Sequence, residues 1–255
     1  MKRSDYKIIF LSIIFLVNVF CLEKVFAQTD PMPKFVTANE AYRQGNYAQA
    51  ALSYEEIIKE GRVSGAVYYN LGNSYLKNNQ LGQAILNYER ALKFIPRDKD
   101  LIFNDRYAIS LIKNAPPSKN FNLIEKTLQD HIQFYTAGGM VMIITILLGL
   151  LASTQLLSLY GRWPTKMRGS VLGVLGLLIC IYAGGLVAKV NVESDSAIIL
   201  KDTESHFEPV ENSTVYFKLS EGTKVKMIET SDGWVKLKRL DDKMGWVPQT
   251  TLERI

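Results

Sequence analysis

Two residue pairs offer this chain its clearest recognition chemistry: Asn39 with Arg43, and Asn73 with Lys77. Each sets an amide four positions ahead of a cation, and the second pair repeats the first. An amide can grip a peptide backbone, and a nearby cation can take a carboxylate. The plainer alternative is an ordinary structural amide beside cations that face water. Bond-breaking chemistry has weaker candidates. The histidines, His131 and His206, are far apart and lack neighbouring nucleophiles, and Cys21 and Cys180 both lie in apolar runs. Such residues build no disulfide framework, no zinc spacing and no Cys–His or Ser–His–Asp site. Ser4-x-x-Lys7 matches a hydrolase motif in letters only, and no phosphate loop or dinucleotide fingerprint is found. A non-enzymatic chain is expected, without cofactor or metal. The balance of 30 Lys+Arg against 25 Asp+Glu, with no long run of either sign, gives nucleic acid no basic stripe to bind.

The amide–cation pairs sit in a larger repeat. Residues 38–57 superpose on 72–91 with a shift of 34, pairing Ala38/Gly72, Gly45/Asn79, Tyr47/Leu81, Ala50/Ala84, Tyr54/Tyr88 and Ile57/Ala91. Small and aromatic residues at these offsets resemble the tetratricopeptide repeat, a helix–turn–helix unit that stacks on its neighbours. The second unit adds Tyr68, Leu71, Tyr75 and a terminal Pro96. The first is degenerate, with Lys34 at the bulky position and Arg62 where proline is usual. A further helix over residues 101–113 is expected to cap the stack, because two repeats leave an apolar face open. Within this resemblance the concave groove is lined by the first helix of each repeat. It implies Phe35, Asn39, Tyr42 and Arg43, then Tyr69, Asn73, Leu76 and Lys77, with Phe103 and Tyr107 continuing the row. The amide–cation pairs then resemble repeats that clamp the C-terminal carboxylate of a peptide.

Three apolar stretches define a topology. Lys2, Arg3 and Lys7 precede an apolar run over 8–20, and Val25-Phe26-Ala27 is an acceptable cleavage site, so residues 1–27 read as an export signal. Residues 138–159 and 169–188 carry no charge, and about twenty such residues cross a bilayer as a helix. Between them Arg162, Lys166 and Arg168 stand without an acid, while Glu125, Asp130, Glu193 and Asp195 flank the hairpin. The positive-inside rule then places the loop 160–168 in the cytoplasm and both flanks outside. The second span, extending to residue 190, has a small-residue stripe of Gly169, Gly173, Gly176, Cys180, Gly184 and Ala188. It serves close packing against the first span or against a partner's helix. Residues 116–137 form a linker broken by Pro116-Pro117 and an amphipathic helix leading into the membrane.

After Val190 the pattern changes to short segments rich in Val, Thr, Tyr, Phe and Trp, with strands expected over 197–200, 215–219, 224–229, 234–239, 244–248 and 251–254. Glu221-Gly222, Asp232-Gly233 and Asp241-Asp242 supply the turns. Gly233-Trp234-Val235 and Gly245-Trp246-Val247 resemble the bacterial SH3 domain, which implies a small barrel over 191–255. That family often binds cell-wall peptides or protein segments, so the resemblance makes Tyr216, Trp234 and Trp246 candidate ligand residues. Packing of the barrel core is the other role open to the two tryptophans.

The fold class is therefore multidomain: an all-α repeat domain over 28–115, a two-helix membrane hairpin and a small all-β barrel. This order resembles the BatE type of the Bacteroides-aerotolerance (Bat) family. The resemblance implies an envelope scaffold acting in stress tolerance beside von Willebrand A-type Bat proteins and, indirectly, a MoxR-type AAA+ ATPase. The export signal and the loop charge place repeats and barrel on the periplasmic side of the cytoplasmic membrane. The alternative is a cell-wall sensor whose barrel binds peptidoglycan.

Overall fold

A computed structural model describes residues 33–115, 122–158 and 164–255. The export signal, the start of the linker and the first part of the short loop between the apolar stretches lie outside the described residues. Five helices form the repeat domain: α1 (Pro33–Arg43), α2 (Tyr47–Lys59), α3 (Gly65–Lys77), α4 (Leu81–Phe94) and α5 (Lys99–Ser110). Pro33 opens α1, where a missing N–H costs nothing. Ser64 and Asp98 cap α3 and α5 by accepting from the Val67 and Leu101 amides.

The repeat offset has a backbone cause at its turns. Gly45 and Asn79 both take positive φ, at 80° and 60°. After each, a six-to-one bond closes the helix end, Asn46 N–H to Ala41 and Gln80 N–H to Tyr75. Gly61 closes α2 the same way at φ 77°, with the Arg62 N–H reaching the Ile57 carbonyl. The first repeat thus ends without the proline that stops the second. At Lys34, the degenerate bulky position, an ion pair to Glu60 replaces apolar contact.

Side chains carry the repeat inward. Gly72 lies so close to the Tyr88 ring that a Cβ there would sit 2.6 Å from it. Tyr54 and Tyr88 are almost wholly buried and donate to Asn39 Oδ1 at 2.5 Å and Asn73 Oδ1 at 2.7 Å. The same oxygens accept from Asn70 at 3.1 Å and Asn104 at 2.9 Å, each donated by the next helix along the stack. Removing the Asn73 acceptor strands a buried phenol, so Asn73→Ala is expected to cost the repeat domain about 2 kcal/mol, read by chemical denaturation.

Helices α6 (Leu123–Phe134), α7 (Ala137–Ser158) and α8 (Thr165–Asp195) follow. Asn122 and Glu125 form a reciprocal capping box at the start of α6. Among the described residues two helices are long and apolar enough to cross a membrane, Ala137–Leu156 and Thr165–Asp195. Among the glycines of α8, Gly185 is the one whose Cβ would meet α7, 3.2 Å from Met140. At Gly169, Gly173, Gly176 and Gly184, in the small-residue stripe, a Cβ would meet nothing within 4 Å. Beyond the apolar run α8 continues to Asp195, past the boundary expected at residue 190, with Lys189 and Glu193 paired one turn apart at 3.1 Å.

That helix passes directly into the barrel. Its strands are β1 (Ser196–Ile199), β2 (Thr203–His206), β3 (Val215–Leu219), β4 (Lys224–Ser231), β5 (Trp234–Lys238), β6 (Met244–Pro248) and β7 (Leu252–Arg254). They form one antiparallel sheet in the order β3-β2-β6-β5-β4-β1-β7. Val225, Val235, Leu237, Val247 and Leu219 fill its core. Strand β2 was not expected: Thr203-Glu204-Ser205-His206 has no apolar alternation, and its inward residue is Ser205.

Candidate functional site

The groove residues lie on α1, α3 and α5. Tyr42 and Tyr69 are half-buried, Arg43 and Lys77 are exposed, and Phe103 and Tyr107 are 70% and 51% exposed on the last helix. Asn39 and Asn73 occupy the same row, but their carbonyl oxygens already serve the buried Tyr54 and Tyr88 phenols. Burial raises the Tyr54 phenol to about 12 and pushes the Tyr88 phenol up as well, so both remain donors at neutral pH. Arg43 pairs with Glu40 on its own helix at 2.6 Å. The two amide–cation pairs are therefore unequal. Arg43 is held by Glu40, whereas Lys77 makes no ion pair among the described residues. The ladder residues Asn70 and Asn104 escaped sequence reading, although they too are 34 apart. That common spacing was their only signal.

The barrel presents a second surface. Each Gly-Trp-Val element turns its valine inward, since Val235 and Val247 are fully buried. Strand alternation then sends Trp234 and Trp246 outward, where both are half-buried. The β5–β6 register pairs Trp234 with Pro248 and Lys236 with Trp246, placing both indoles on one face. His206 joins them from β2, opposite Trp246 and edge-on to Trp234 at 5.5 Å between ring centres. The Lys236 ammonium lies 5.7 Å from the centre of the Trp246 ring. Tyr216 belongs to a neighbouring aromatic group, 4.5 Å from Phe207, which is itself 56% exposed.

These two arrangements match known families. Residues 35–99 match the tetratricopeptide repeat, and residues 206–253 match the bacterial SH3 domain. Both are typically non-catalytic interaction modules. No curated protein matches the chain.

The tetratricopeptide and SH3 modules are also bound to each other. Helix α4 receives the turn before β4: the Glu221 carboxylate accepts from the Gly82 amide at 2.7 Å, and so caps a helix in the other module. Gly222, at φ 87°, lies over Ile85, where a Cβ would come within 2.7 Å of its side chain. Ile198, Leu200 and Ile255 of the SH3 domain pack into the tetratricopeptide core. Around them Lys224 holds both Glu89 oxygens at 2.8 and 2.9 Å, and Arg90 reaches Glu253 at 2.7 Å. Burial works to lower the Lys224 ammonium, but the Glu89 carboxylate outweighs it and holds the lysine raised. The SH3 domain therefore docks through α4, the second helix of its repeat, and the groove residues occupy the first helices.

Proposed function

We propose that the chain is a membrane-anchored, non-enzymatic scaffold that takes a protein partner in its tetratricopeptide groove. The observation that carries this reading is the division of surfaces: the SH3 domain occupies α4, while the exposed Lys77, Phe103 and Tyr107 stand on the helices that line the groove. A fixed pair of modules beside two apolar helices presents both to neighbouring membrane proteins at high effective concentration. By loop charge and the amino-terminal export pattern, both modules face the periplasm of a bacterial cytoplasmic membrane. By resemblance, the partners are von Willebrand A-type Bat proteins, with a MoxR-type ATPase acting indirectly, in envelope stress tolerance.

Lys77→Glu combined with Phe103→Ala tests the groove without touching the buried Asn73. Affinity capture of the full chain from detergent-solubilised membranes is expected to recover a von Willebrand A-type protein with wild type. The double variant should recover it at least about tenfold less, as loss of a charged contact and an aromatic anchor implies. Equal recovery overturns the groove assignment. A second reading, peptidoglycan binding by the SH3 domain, is favoured by the outward Trp234, Trp246 and His206 face. Trp246→Ala separates it, since only that reading expects the full chain to lose sedimentation with purified peptidoglycan.

A further inference from the structure

A cavity of about 730 Å³ lies where the tetratricopeptide domain, the juxtamembrane helix, the second apolar helix and the SH3 domain meet. Its size suits a small molecule or a lipid headgroup. Its lining is mixed. Leu92, Ile102, Leu128, Ile132, Ala188 and Val192 are apolar, and Ala188 is the last residue of the uncharged run of α8. Glu89, Asp105, Arg106, Lys189 and Lys224 bring charge to it, and Gln129 and Gln133 bring amides. The cavity thus sits at the end of the uncharged run of α8, and α6 contributes Leu128, Gln129, Ile132 and Gln133 to its lining.

Among the polar groups Asp105 stands out. It is 7% exposed, it lines the cavity, and its Oδ1 has no hydrogen-bond partner among the described residues. Nearby cations are engaged elsewhere: Lys224 with Glu89, Lys189 with Glu193, and Lys93 with the Ile255 carbonyl oxygen. A buried carboxylate oxygen without a donor costs several kcal/mol unless something supplies one. Arg106, Gln129 and Gln133 also line the cavity, yet none of them donates to this oxygen. An N–H donor, preferably cationic, on a molecule with an apolar body would satisfy it.

We propose that the cavity binds the headgroup of an aminophospholipid, whose primary ammonium donates to Asp105. Arg106 flanks the phosphate, and the acyl chains leave along Leu128, Ile132, Ala188 and Val192 into the bilayer. The site is independent of the groove and of any protein partner. It joins the membrane to the docked modules, because its lining comes from all four parts of the chain.

The test uses the full chain in detergent, stripped of lipid and titrated with phosphatidylethanolamine or phosphatidylcholine of identical acyl chains. Native mass spectrometry reads the bound lipid. The wild type is expected to retain phosphatidylethanolamine at least about fivefold better, because a trimethylammonium has no N–H to donate. That preference should fall towards parity in Asp105→Asn and vanish in Asp105→Leu. Asp105→Asn keeps the side-chain shape and carries the test should the leucine variant fail to fold. Equal retention of both lipids by wild type, or an unchanged preference in Asp105→Asn, overturns the proposal. Free ethanolamine displacing the lipid at equal concentration also overturns it, by making the ligand a soluble amine.

Discussion

Gly222→Val is expected to release the SH3 domain from the tetratricopeptide domain while both remain folded. Two penalties coincide at this residue. Its φ of 87° is a conformation in which a β-branched side chain is strained by about 1–2 kcal/mol. Its Cβ would also meet Ile85 Cδ1 at 2.7 Å, and overpacking of that kind costs about 1–3 kcal/mol more. The clash across the boundary alone sets about 1–3 kcal/mol against the docked state. That state is held by the Glu221–Gly82 bond, the packing of Ile198, Leu200 and Ile255, and partly exposed ion pairs worth about 1 kcal/mol or less each. Each module nevertheless retains its own core: Tyr54, Leu86 and Tyr88 in one, Val235, Leu237 and Val247 in the other. Hydrogen–deuterium exchange on the full chain separates docking from folding. Protection should drop across α4 and β1 and persist in α3 and in β5–β6. Unchanged exchange at α4 would show that the Glu221–Gly222 turn does not hold the modules together.

That docking is also the feature hardest to read from the chain. The 34-residue repeat was legible because each of its positions serves a local need: Gly45 and Asn79 a left-handed turn, Gly72 a ring above it, and Tyr88 a gap between helices. The SH3 core was legible for a similar reason, since alternation is set by the strand itself. Glu221-Gly222 read only as a turn, although the same two residues cap α4 and cover Ile85. No local period marks a residue whose partner is 139 positions away. The tryptophans illustrate the converse. Their motif identified the domain, but the adjacent valines fill its interior and leave the indoles on the outer face. Asn39 and Asn73 were singled out for ligand chemistry on residue type, and in the fold their first duty is to accept from buried phenols. An amide does either task with the same atoms, so residue type could not separate them.

Asp105 leads to the second large effect, a stability that falls as pH rises. Burial, reinforced by the Glu89 carboxylate on α4, raises the Asp105 carboxyl to about 7, while Lys224 on β4 and Arg106 on its own helix oppose the shift. A carboxyl whose folded pKa is raised binds its proton more tightly in the folded chain than in the unfolded one. Its contribution is then fully present below about pH 4 and lost as pH climbs through about 7. A shift of this size corresponds to a loss on the order of 4 kcal/mol across that window. Asp241 does not mask it: the Arg239 guanidinium holds that carboxylate down at about 2, so its titration ends before the window opens. Thermal unfolding of the lipid-stripped full chain between pH 4.5 and 8 should therefore show a midpoint that declines for wild type. Asp105→Asn, which cannot ionise, should be flatter and more stable than wild type at pH 8. An identical pH slope in the two proteins would mean that Asp105 is already compensated in the folded state. Saturating phosphatidylethanolamine should flatten the wild-type slope as the mutation does, because a bound ammonium stabilises the ionised carboxylate that burial disfavours.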